Sequence, residues 1–347
     1  MTKSVFVKNT PIGGGSRVTI QSMTNTPTAD IDKTGEQISR LVAAGCDIVR
    51  LAVSSDAEVE ACKQYIKSFD VPLVADIQFD HRLAVACSDI GFAKVRINPG
   101  NIGGEDGVKR VVQACKANRT AIRVGVNGGS LEGGVIGGGA EALAKSALKS
   151  VDKVRSYGFE DIVISVKSSD VRTMIEANRL VSQACDYPLH LGVTESGDVE
   201  GGTLKSAIGI GALLAMGIGD TIRVSLSGDP VEEVKAARNI LRSVGLDKNF
   251  CELISCPTCS RCNYDLEGTV RELRRFTDGI TVPLRVAVMG CVVNGPGEAK
   301  NADCGVAGGK DKAVLFCKGE VVKTVPQSDI LPEIKGLISK ILAEKNQ

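Results

Sequence analysis

The stretch AKVRINPGNIGGEDGVKRVVQACKANRTAIRVGVN, residues 93–127, contains the repeating unit that decides the fold. AKVRIN (93–98) and AIRVGVN (121–127) are short apolar runs rich in β-branched residues, which is typical of buried strands. Between them, GVKRVVQACKAN (107–118) places apolar residues at helical spacing. A strand, a helix and a second strand in this order predict two parallel strands joined by a right-handed crossover.

Strand-like runs of this kind recur through the first 230 residues, and eight can be counted. Alternating strands and helices in this number match a (β/α)8 barrel, which we predict. An open doubly wound sheet uses the same local units and stays as the alternative, although no GxGxxG motif follows the first run. The runs are VTIQSM (18–23), DIVRLAV (47–53), PLVADI (72–77), AKVRIN (93–98), AIRVGVN (121–127), DIVISVK (161–167), PLHLGVT (188–194) and TIRVSLS (221–227).

The chain length indicates a second domain, because 347 residues exceed a typical barrel by about 100. After about residue 245 the pattern changes to cysteine-rich turns, strand-like runs such as LRVAVMG (284–290) and a C-terminal amphipathic helix. We therefore predict an α/β chain with a barrel over 1–245 and a smaller α/β domain over 246–347. The glycine-rich segment at 128–139 lacks the ending of a P-loop, and we expect a mobile loop over the barrel mouth there.

Charge and patterning narrow the class of partner. Lysine plus arginine (42) nearly balance aspartate plus glutamate (41), so the overall field favours neither nucleic acid nor an anionic membrane. The N-terminal sequence MTKSVFVKNTPIGGG lacks the pattern of a signal peptide, and no run approaches the length of a membrane span. We expect a cytoplasmic protein that binds neither nucleic acid nor membrane.

The strand-like runs carry polar residues at a spacing of two, which places them on one face of each strand. Buried parallel strands are normally continuous apolar runs, so arginines inside four of them require an explanation. Salt bridges with neighbouring carboxylates would explain any one of them, but only Asp76 and Glu195 obviously oppose the group. Several unpaired cations in one cavity require an anion, and arginine forks suit phosphate oxygens, so we predict a diphosphate ligand. The cations are Arg50, Arg96, Arg123, Lys167 and Arg223.

Seven of the twelve cysteines follow residue 250, which indicates a metal site in the second domain. CPTCSRC (256–262) and GCVVNGPGE (290–298) have the spacing of zinc or iron–sulfur ligands, and spacing alone does not separate the two. Three thiolates with a weaker fourth ligand favour a four-iron cluster with one exchangeable position. Glu298 can return to that position across an Asn-Gly-Pro-Gly turn, while Cys262 is the rival fourth ligand.

Motifs along nearly the whole chain resemble the 4-hydroxy-3-methylbut-2-enyl diphosphate synthase family, in its shorter bacterial form. The resemblance implies reductive ring opening and dehydration of 2-C-methyl-D-erythritol 2,4-cyclodiphosphate in non-mevalonate isoprenoid biosynthesis, by a homodimer whose active site is shared between subunits. Flavodoxin or ferredoxin would supply two electrons. The most specific motifs are TIQSMTNTPT, LVADIQFD, KVRINPGNIG, IRVGVNGGSLE, LHLGVTESG, SAIGIGALLAMGIGDTIRVSLS, SCPTCSRC and GCVVNGPGEA.

The resemblance also assigns roles to individual residues. Cys256, Cys259 and Cys291 would bind a [4Fe-4S] cluster whose fourth iron is capped by Glu298, while Asn127 and Glu195 would contact the carbon skeleton or move protons. The substrate-binding set would be Arg50, Asp76, Arg96, Arg123, Lys167, Lys205 and Arg223.

Two departures from the family pattern and two rival functions stay open. The family often has histidine at the position of Gln78, and Cys262 adds one thiol more than a cluster requires. One rival is a barrel synthase or aldolase with a structural metal, using His81, Lys167 or Glu195 for acid–base chemistry. The other is a non-catalytic iron–sulfur electron carrier.

Overall fold

The computed structural model describes residues 1–127, 139–291 and 299–345. The chain folds as two compact units, Met1–Leu246 and Asp247–Gln347. The loop predicted at 128–139 lies outside the described residues except for Gly139, and Glu298 lies outside them as well.

The first unit is the predicted (β/α)8 barrel. Each of the eight strand-like runs contains a strand, and the parallel sheet has the order β8-β7-β6-β5-β4-β3-β10-β9. A parallel bridge between Ile164 and Leu189 brings the two ends of that series together. The barrel strands are β3 (Thr19–Met23), β4 (Ile48–Ala52), β5 (Leu73–Asp76), β6 (Lys94–Ile97), β7 (Ala121–Asn127), β8 (Ile162–Lys167), β9 (His190–Leu191) and β10 (Thr221–Ile222).

The helices that follow the strands begin where short polar side chains cap their first turn. Asp170 and Asp198, for example, accept hydrogen bonds from the backbone N–H groups of Thr173 and Gly201. Each cap stands between the C-terminal end of a strand and the next helix, so it helps to fix the rim of the barrel. The helices are α1 (Ile31–Ala43), α2 (Asp56–Ser68), α3 (His81–Asp89), α4 (Gly104–Asn118), α5 (Gly139–Arg155), α6 (Val171–Ala184), α7 (Val199–Ala215) and α8 (Pro230–Ser243).

An N-terminal hairpin, which the sequence analysis did not predict, closes the opposite end of the barrel. Strands β1 (Ser4–Val7) and β2 (Thr10–Gly13) pair antiparallel. Their buried Val5, Val7 and Ile12 pack against lumen residues from the first half of the barrel strands. The lumen is therefore sealed at its floor, and a ligand must approach from the C-terminal ends of the strands.

The second unit has its own sheet and core. Strands β11, β12 and β13 are parallel, and β14 and β15 continue the sheet antiparallel. Apolar residues of α9 and α10 pack against this sheet. The elements are β11 (Cys251–Ser255), α9 (Leu266–Thr277), β12 (Leu284–Met289), β13 (Cys304–Gly308), β14 (Lys312–Cys317), β15 (Glu320–Pro326), a 3-10 turn (Gln327–Asp329) and α10 (Ile330–Lys345). None of the helices in the described ranges combines the length and apolar character needed to cross a membrane.

Candidate functional site

Strand register brings the predicted cations together inside the barrel. Arg96 of β6 lies level with Asp76 of β5 on one side and Arg123 of β7 on the other. Laterally paired residues on parallel strands point to the same face, so these three side chains share the lumen. The alternation predicted from the sequence therefore places these polar side chains together in the barrel lumen. The buried or nearly buried polar residues on this face include Arg50, Asp76, Lys94, Arg96, Arg123, Ser165, Lys167, His190 and Arg223.

Within the described residues, two carboxylates oppose the lumen cations. Asp76 accepts a hydrogen bond of 3.1 Å from Arg96 and lies 4.0 Å from the guanidinium of Arg50. Burial would raise the pKa of Asp76, but Arg50 and Arg96 outweigh that effect and hold the pKa below its ordinary value. Asp76 is therefore ionised at neutral pH and neutralises one of the arginines beside it.

The second carboxylate is Glu233 of α8, which the sequence analysis missed. It pairs with Arg223 at 3.2 Å, accepts from the Ser22 hydroxyl at 2.8 Å and accepts from the Leu226 backbone N–H at 3.1 Å. The expected partner, Glu195, lies exposed at the rim instead. A glutamate in the first turn of a helix is an ordinary helix residue in sequence, so no local signal marked it for the lumen.

Arg50 is buried with a weak partner. Its guanidinium nitrogens lie 3.0 and 2.8 Å from the thioether sulfur of Met23, which is a poor hydrogen-bond acceptor. Burial lowers the pKa of Arg50 to about 10, although Asp76 partly compensates. A buried guanidinium whose nearest acceptor is a thioether is poised to bind a stronger acceptor.

Arg123 and Lys94 are the most completely buried cations of the lumen, with exposures of 2% and 0%. The Nε and Nη1 atoms of Arg123 and the Nζ atom of Lys94 have no hydrogen-bond partner within the described part of the chain. Burial, and then the neighbouring arginines, lower the pKa of both groups well below the ordinary values. Unpaired buried cations cost several kcal/mol each, so the site calls for an anion.

Lys94 was absent from the predicted site, although a signal for it existed. It stands two residues before Arg96, on the same face of β6. Polar residues near the C-terminal ends of strands are the usual ligand contacts of a barrel, whereas Lys94 is the first residue of its strand. Its long side chain makes it part of the lumen all the same.

Lys167 and His190 complete the polar lining on the neighbouring strands. Both are buried, and burial followed by the charge of Arg123 lowers the pKa of each well below its ordinary value. Neither ring nitrogen of His190 has a hydrogen-bond partner among the residues that the structure describes. His190 is therefore a neutral imidazole beside a group of cations and a potential hydrogen-bond donor to a ligand.

Two glycines make room for the lumen cations. A Cβ atom at Gly125 of β7 would lie 2.7 Å from Nε of Arg96, and one at Gly192 would lie 2.7 Å from Nζ of Lys167. Such distances are below any normal contact, so a side chain at either position would displace the cation. The backbone is thus adapted to hold both cations within the barrel.

The remaining predicted residues lie at the rim. Asn127 ends β7 and is half-buried, while Gln78 is exposed after β5. Glu195 is also exposed and has a φ of +53°, a left-handed conformation that is uncommon for glutamate and frequent at functional sites. Lys205 is exposed on α7, and no interaction described for the chain connects it with the lumen cations. His81, proposed for the rival synthase, is the first residue of α3.

In the second unit, adjacent parallel strands bring the cysteine motifs together. Cys256 follows β11 and Cys291 closely follows β12, the strand that pairs with β11. The backbone N–H of Gly290 donates to the Cys256 sulfur at 3.1 Å. A Cβ atom at Gly290 would lie 3.0 Å from the Cys262 sulfur and 3.5 Å from that of Cys256. The glycine therefore maintains space for two thiols at this edge of the sheet.

Charge and hydrogen bonding also connect the exposed cysteine of the motif with this edge. Hydrogen bonds from the backbone and side chain of Arg261 lower the pKa of Cys259. The hydrogen bond to Cys259 and an electrostatic interaction with Cys291 raise the pKa of the same guanidinium. Cys262 lies beside Cys256 and its thiol donates to the Tyr264 carbonyl at 3.4 Å. Cys256 and Cys262 thus lie side by side at the strand ends, and Arg261 connects Cys259 and Cys291 with this edge.

The thiols at this edge are compatible with the ligands of an iron–sulfur cluster. Within residues 1–127, 139–291 and 299–345, no three histidine, cysteine or carboxylate side chains converge closely enough to bind one metal ion. A cluster makes a different demand, because each thiolate binds its own iron and the sulfurs stand further apart. A thiol that accepts a backbone N–H bond, as Cys256 does, also suits a cluster ligand.

Fold and site together define a (β/α)8 barrel with a cation-lined lumen and a thiol-rich second unit. A model of the GcpE TIM-barrel domain matches residues 2–238, and a model of the GcpE protein C-terminal domain matches residues 252–340. The chain belongs to the GcpE family. The family resemblance identified from the sequence motifs is confirmed, and so is the predicted barrel fold.

Similar proteins carry a consistent name. The chain is 52% identical over 349 residues to the 4-hydroxy-3-methylbut-2-en-1-yl diphosphate synthase (flavodoxin) of Caldanaerobacter subterraneus subsp. tengcongensis, covering 99% of this chain and 98% of that protein. It is 51% identical to the protein of the same name from Clostridium perfringens, covering 98% of this chain and 99% of that protein. The chain is accordingly an enzyme of the oxidoreductase class.

Solved structures support the barrel fold alone. A dihydropteroate synthase from Xanthomonas albilineans matches with a TM-score of 0.53 and 12% identity, over 70% of this chain and 98% of that chain. One from Yersinia pestis matches with a TM-score of 0.52 and 12% identity, over 70% of this chain and 99% of that chain. Sequence identity this low carries no argument about activity.

Proposed function

We propose that the enzyme opens the ring of 2-C-methyl-D-erythritol 2,4-cyclodiphosphate by two-electron reduction, with loss of water, to give (E)-4-hydroxy-3-methylbut-2-enyl diphosphate. The barrel unit binds the cyclodiphosphate, and the second unit holds a [4Fe-4S] cluster. Flavodoxin, which the names of the relatives specify, is the electron donor. The reaction belongs to the non-mevalonate route to isoprenoids.

The excess of cations in the lumen is the observation that carries this proposal. The lumen brings together six cationic side chains, Arg50, Lys94, Arg96, Arg123, Lys167 and Arg223, against the carboxylates Asp76 and Glu233. Burying such an excess without an anion is unfavourable, and several of the donors lack any partner within the described residues. A diphosphate offers two adjacent phosphate groups, each able to accept the forked hydrogen bonds of arginine.

The lumen residues bind, orient and stabilise the ligand. Arg50, Arg96, Arg123, Lys167 and Arg223 hold the phosphates, while Asp76 positions two of these arginines. Preorganised cations lower the energy of the charge that develops on the phosphate oxygen as the ring carbon–oxygen bond breaks. Asn127 and Glu195 at the rim contact the carbon skeleton or move protons. Lys205 serves as an additional cation for the approaching substrate.

Cys256, Cys259 and Cys291 are the residues proposed to hold the cluster, with Glu298 on the fourth iron. The cluster would supply the electrons for reduction, one at a time. Cys262 lies beside Cys256 and its thiol has a hydrogen-bond partner of its own in the Tyr264 carbonyl, so the proposal leaves it outside the ligand set. The rival assignment, in which Cys262 is the fourth ligand, predicts that its removal lowers the iron content.

A homodimer is also part of the proposal. Leu204, Ile208 and Met216 form an exposed apolar stripe on α7 and the residue after it, with exposures of 63%, 55% and 51%. They recur at intervals of four or eight residues and so share one face of the helix. A continuous apolar stripe is a natural contact for the same stripe of a second copy.

Metal content and metal dependence separate this function from its rivals. Protein purified without oxygen should contain about four irons per chain and should convert the cyclodiphosphate when reduced flavodoxin is supplied. Cys259→Ser should lower iron content and turnover together, while Cys185→Ser on the barrel serves as the matched control and leaves both unchanged.

Three results would contradict the assignment. Zinc in place of iron would remove the electron path, and turnover after iron removal would favour the barrel synthase or aldolase. A full cluster with no conversion of the cyclodiphosphate, in the presence of competent reduced flavodoxin, would favour the electron carrier.

A further inference from the structure

Lys94 lies at the start of its strand and is fully buried in the barrel lumen. It lies level with Val74 and Ala121, whereas Arg96 lies level with Asp76 and Arg123. Two residues along a parallel strand correspond to about 6–7 Å, so the backbone of Lys94 lies that far from the backbone of Arg96, towards the floor of the barrel. Its Nζ atom is fully buried and has no hydrogen-bond partner among the described residues.

Both carboxylates of the site form ion pairs with cations other than Lys94. Asp76 contacts Arg96 and Arg50, and Glu233 contacts Arg223. Neither carboxylate forms an ion pair with Lys94 among the contacts described for the chain. Lys94 therefore has no protein counter-charge in this part of the molecule, and an anionic ligand is its available partner.

The charge of the proposed ligand increases during the reaction. The cyclic diphosphate carries two negative charges, because each of its phosphorus atoms has one ionisable oxygen. Two electrons and one proton enter, the bond between the ring carbon and the phosphate oxygen breaks, and a carbon-bound hydroxyl leaves as water. The freed phosphate oxygen keeps the bonding electron pair, so the open-chain diphosphate has three negative charges.

We propose that Lys94 is a further ligand-binding residue of this site and compensates the third negative charge that the diphosphate acquires when the ring opens. This inference rests on the proposed function. Even without a charge on Lys94, five other cations face two carboxylates among the described lumen residues, which is more positive charge than the cyclic diphosphate neutralises. The surplus favours the more anionic species, which is how a site stabilises the outcome of bond cleavage more than the starting ligand.

The environment of Lys94 explains why it responds to the additional charge. Its charged and titratable neighbours are Arg50 on β4, Arg123 on β7 and His190 on β9. Burial and the two arginines lower the pKa of Lys94 well below its ordinary value. Phosphate charge placed above these arginines opposes their effect and favours the ammonium form. The open-chain diphosphate therefore draws a proton to Lys94 more strongly than the cyclic one does.

Calorimetric titration of the anaerobic holoenzyme without reductant tests this role, because neither ligand then turns over. Lys94→Met keeps the length of the side chain and removes the charge. It should weaken binding of the open-chain diphosphate about tenfold or more, and of the cyclodiphosphate less than about threefold. Lys167→Met is the matched control, since Lys167 ends β8 near the mouth and should weaken both ligands alike.

Titration in two buffers of different ionisation enthalpy adds a readout that a structural role would not change. The parent enzyme should take up more protons with the open-chain diphosphate than with the cyclodiphosphate, and Lys94→Met should remove that difference. The variant should unfold at no lower temperature than the parent, because it replaces an unpaired buried cation by an apolar group. Lys94→Gln is the second variant if the methionine variant does not fold.

The outcomes separate this inference from the proposed function. If the parent enzyme binds neither diphosphate, the role of Lys94 and the proposed function are both wrong. If the parent binds both and Lys94→Met weakens them equally or not at all, or leaves the difference in proton uptake unchanged, the role of Lys94 is wrong and the proposed function stands.

Discussion

At the scale of single residues, the protein partner of each buried lumen cation indicates how much that cation stabilises the fold in addition to its proposed role in ligand binding. Arg223 and Arg123 are lumen arginines from neighbouring parts of one barrel, but only Arg223 has a carboxylate partner at 3.2 Å. Arg123 is 2% exposed and has two guanidinium nitrogens without an acceptor within the described residues. In the proposed function both arginines bind the phosphates, but Arg223 also stabilises the fold through its ion pair with Glu233, whereas Arg123 forms no ion pair among the described residues.

Matched substitutions should reveal this difference. Arg123→Met should reduce affinity for the cyclodiphosphate about 100-fold, since a charge-assisted fork is lost, and change the free energy of unfolding by less than about 1 kcal/mol. Arg223→Met should lower the free energy of unfolding by about 2–4 kcal/mol, because it leaves Glu233 buried without its cation. Calorimetric binding and denaturant unfolding measure the two effects. Loss of stability in Arg123→Met with unchanged affinity would support a structural salt-bridge role.

The sequence predicted many lumen residues and missed others for identifiable reasons. Residues at a spacing of two on one strand share a face, so Arg96 and Arg123 could be assigned to the lumen without coordinates. Glu233 could not, because it reaches the lumen from a helix through the path of the chain after β10. Lys205 was predicted beside the cations and is exposed on α7, since a motif gives no direction for a helical side chain.

At the scale of elements, the apolar runs predicted the eight barrel strands, whereas the register between the strands is known only from the structure. The last two are shorter than their runs, with only His190–Leu191 and Thr221–Ile222 paired as strands. The hairpin of β1 and β2 was missed because four-residue strands next to a glycine-rich turn carry little periodicity. Its apolar face is needed to seal the floor of the lumen, a requirement that appears only when the barrel is closed.

The turn after β12 gives a prediction at this scale. Gly290→Ala should lower the iron bound per chain, because its Cβ atom would lie 3.0 Å from the Cys262 sulfur and 3.5 Å from the Cys256 sulfur. Gly336→Ala on α10 is the control, since a Cβ atom there meets nothing within 4 Å. The control should retain its iron and gain about 0.5–1 kcal/mol of stability, as expected for a helix interior. Equal iron content in both variants would show that the space beside Gly290 is irrelevant to the cluster.

At the scale of the whole molecule, the proposal requires a dimer, and the apolar stripe on α7 offers a place for it. Ile208→Glu, in the middle of the stripe, should shift the protein to monomer in size-exclusion chromatography with light scattering, since a charge would be buried in the contact. Val42→Glu on α1 is the control, because Val42 is also exposed, at 42%, but lies on another helix. A dimer that persists in Ile208→Glu would place the contact elsewhere on the surface.

The central claim is that a lumen built for a diphosphate acts together with a thiol-bound cluster to open a ring by reduction. A single-turnover experiment tests it most directly: the holoenzyme is reduced, freed of excess reductant and mixed with 2-C-methyl-D-erythritol 2,4-cyclodiphosphate, and the phosphorus NMR spectrum is recorded. The account predicts that the cyclic diphosphate signals are replaced by those of a terminal diphosphate, one molecule for every two electrons removed from the protein. Ring opening without consumption of electrons, or consumption of electrons with the ring intact, would contradict it.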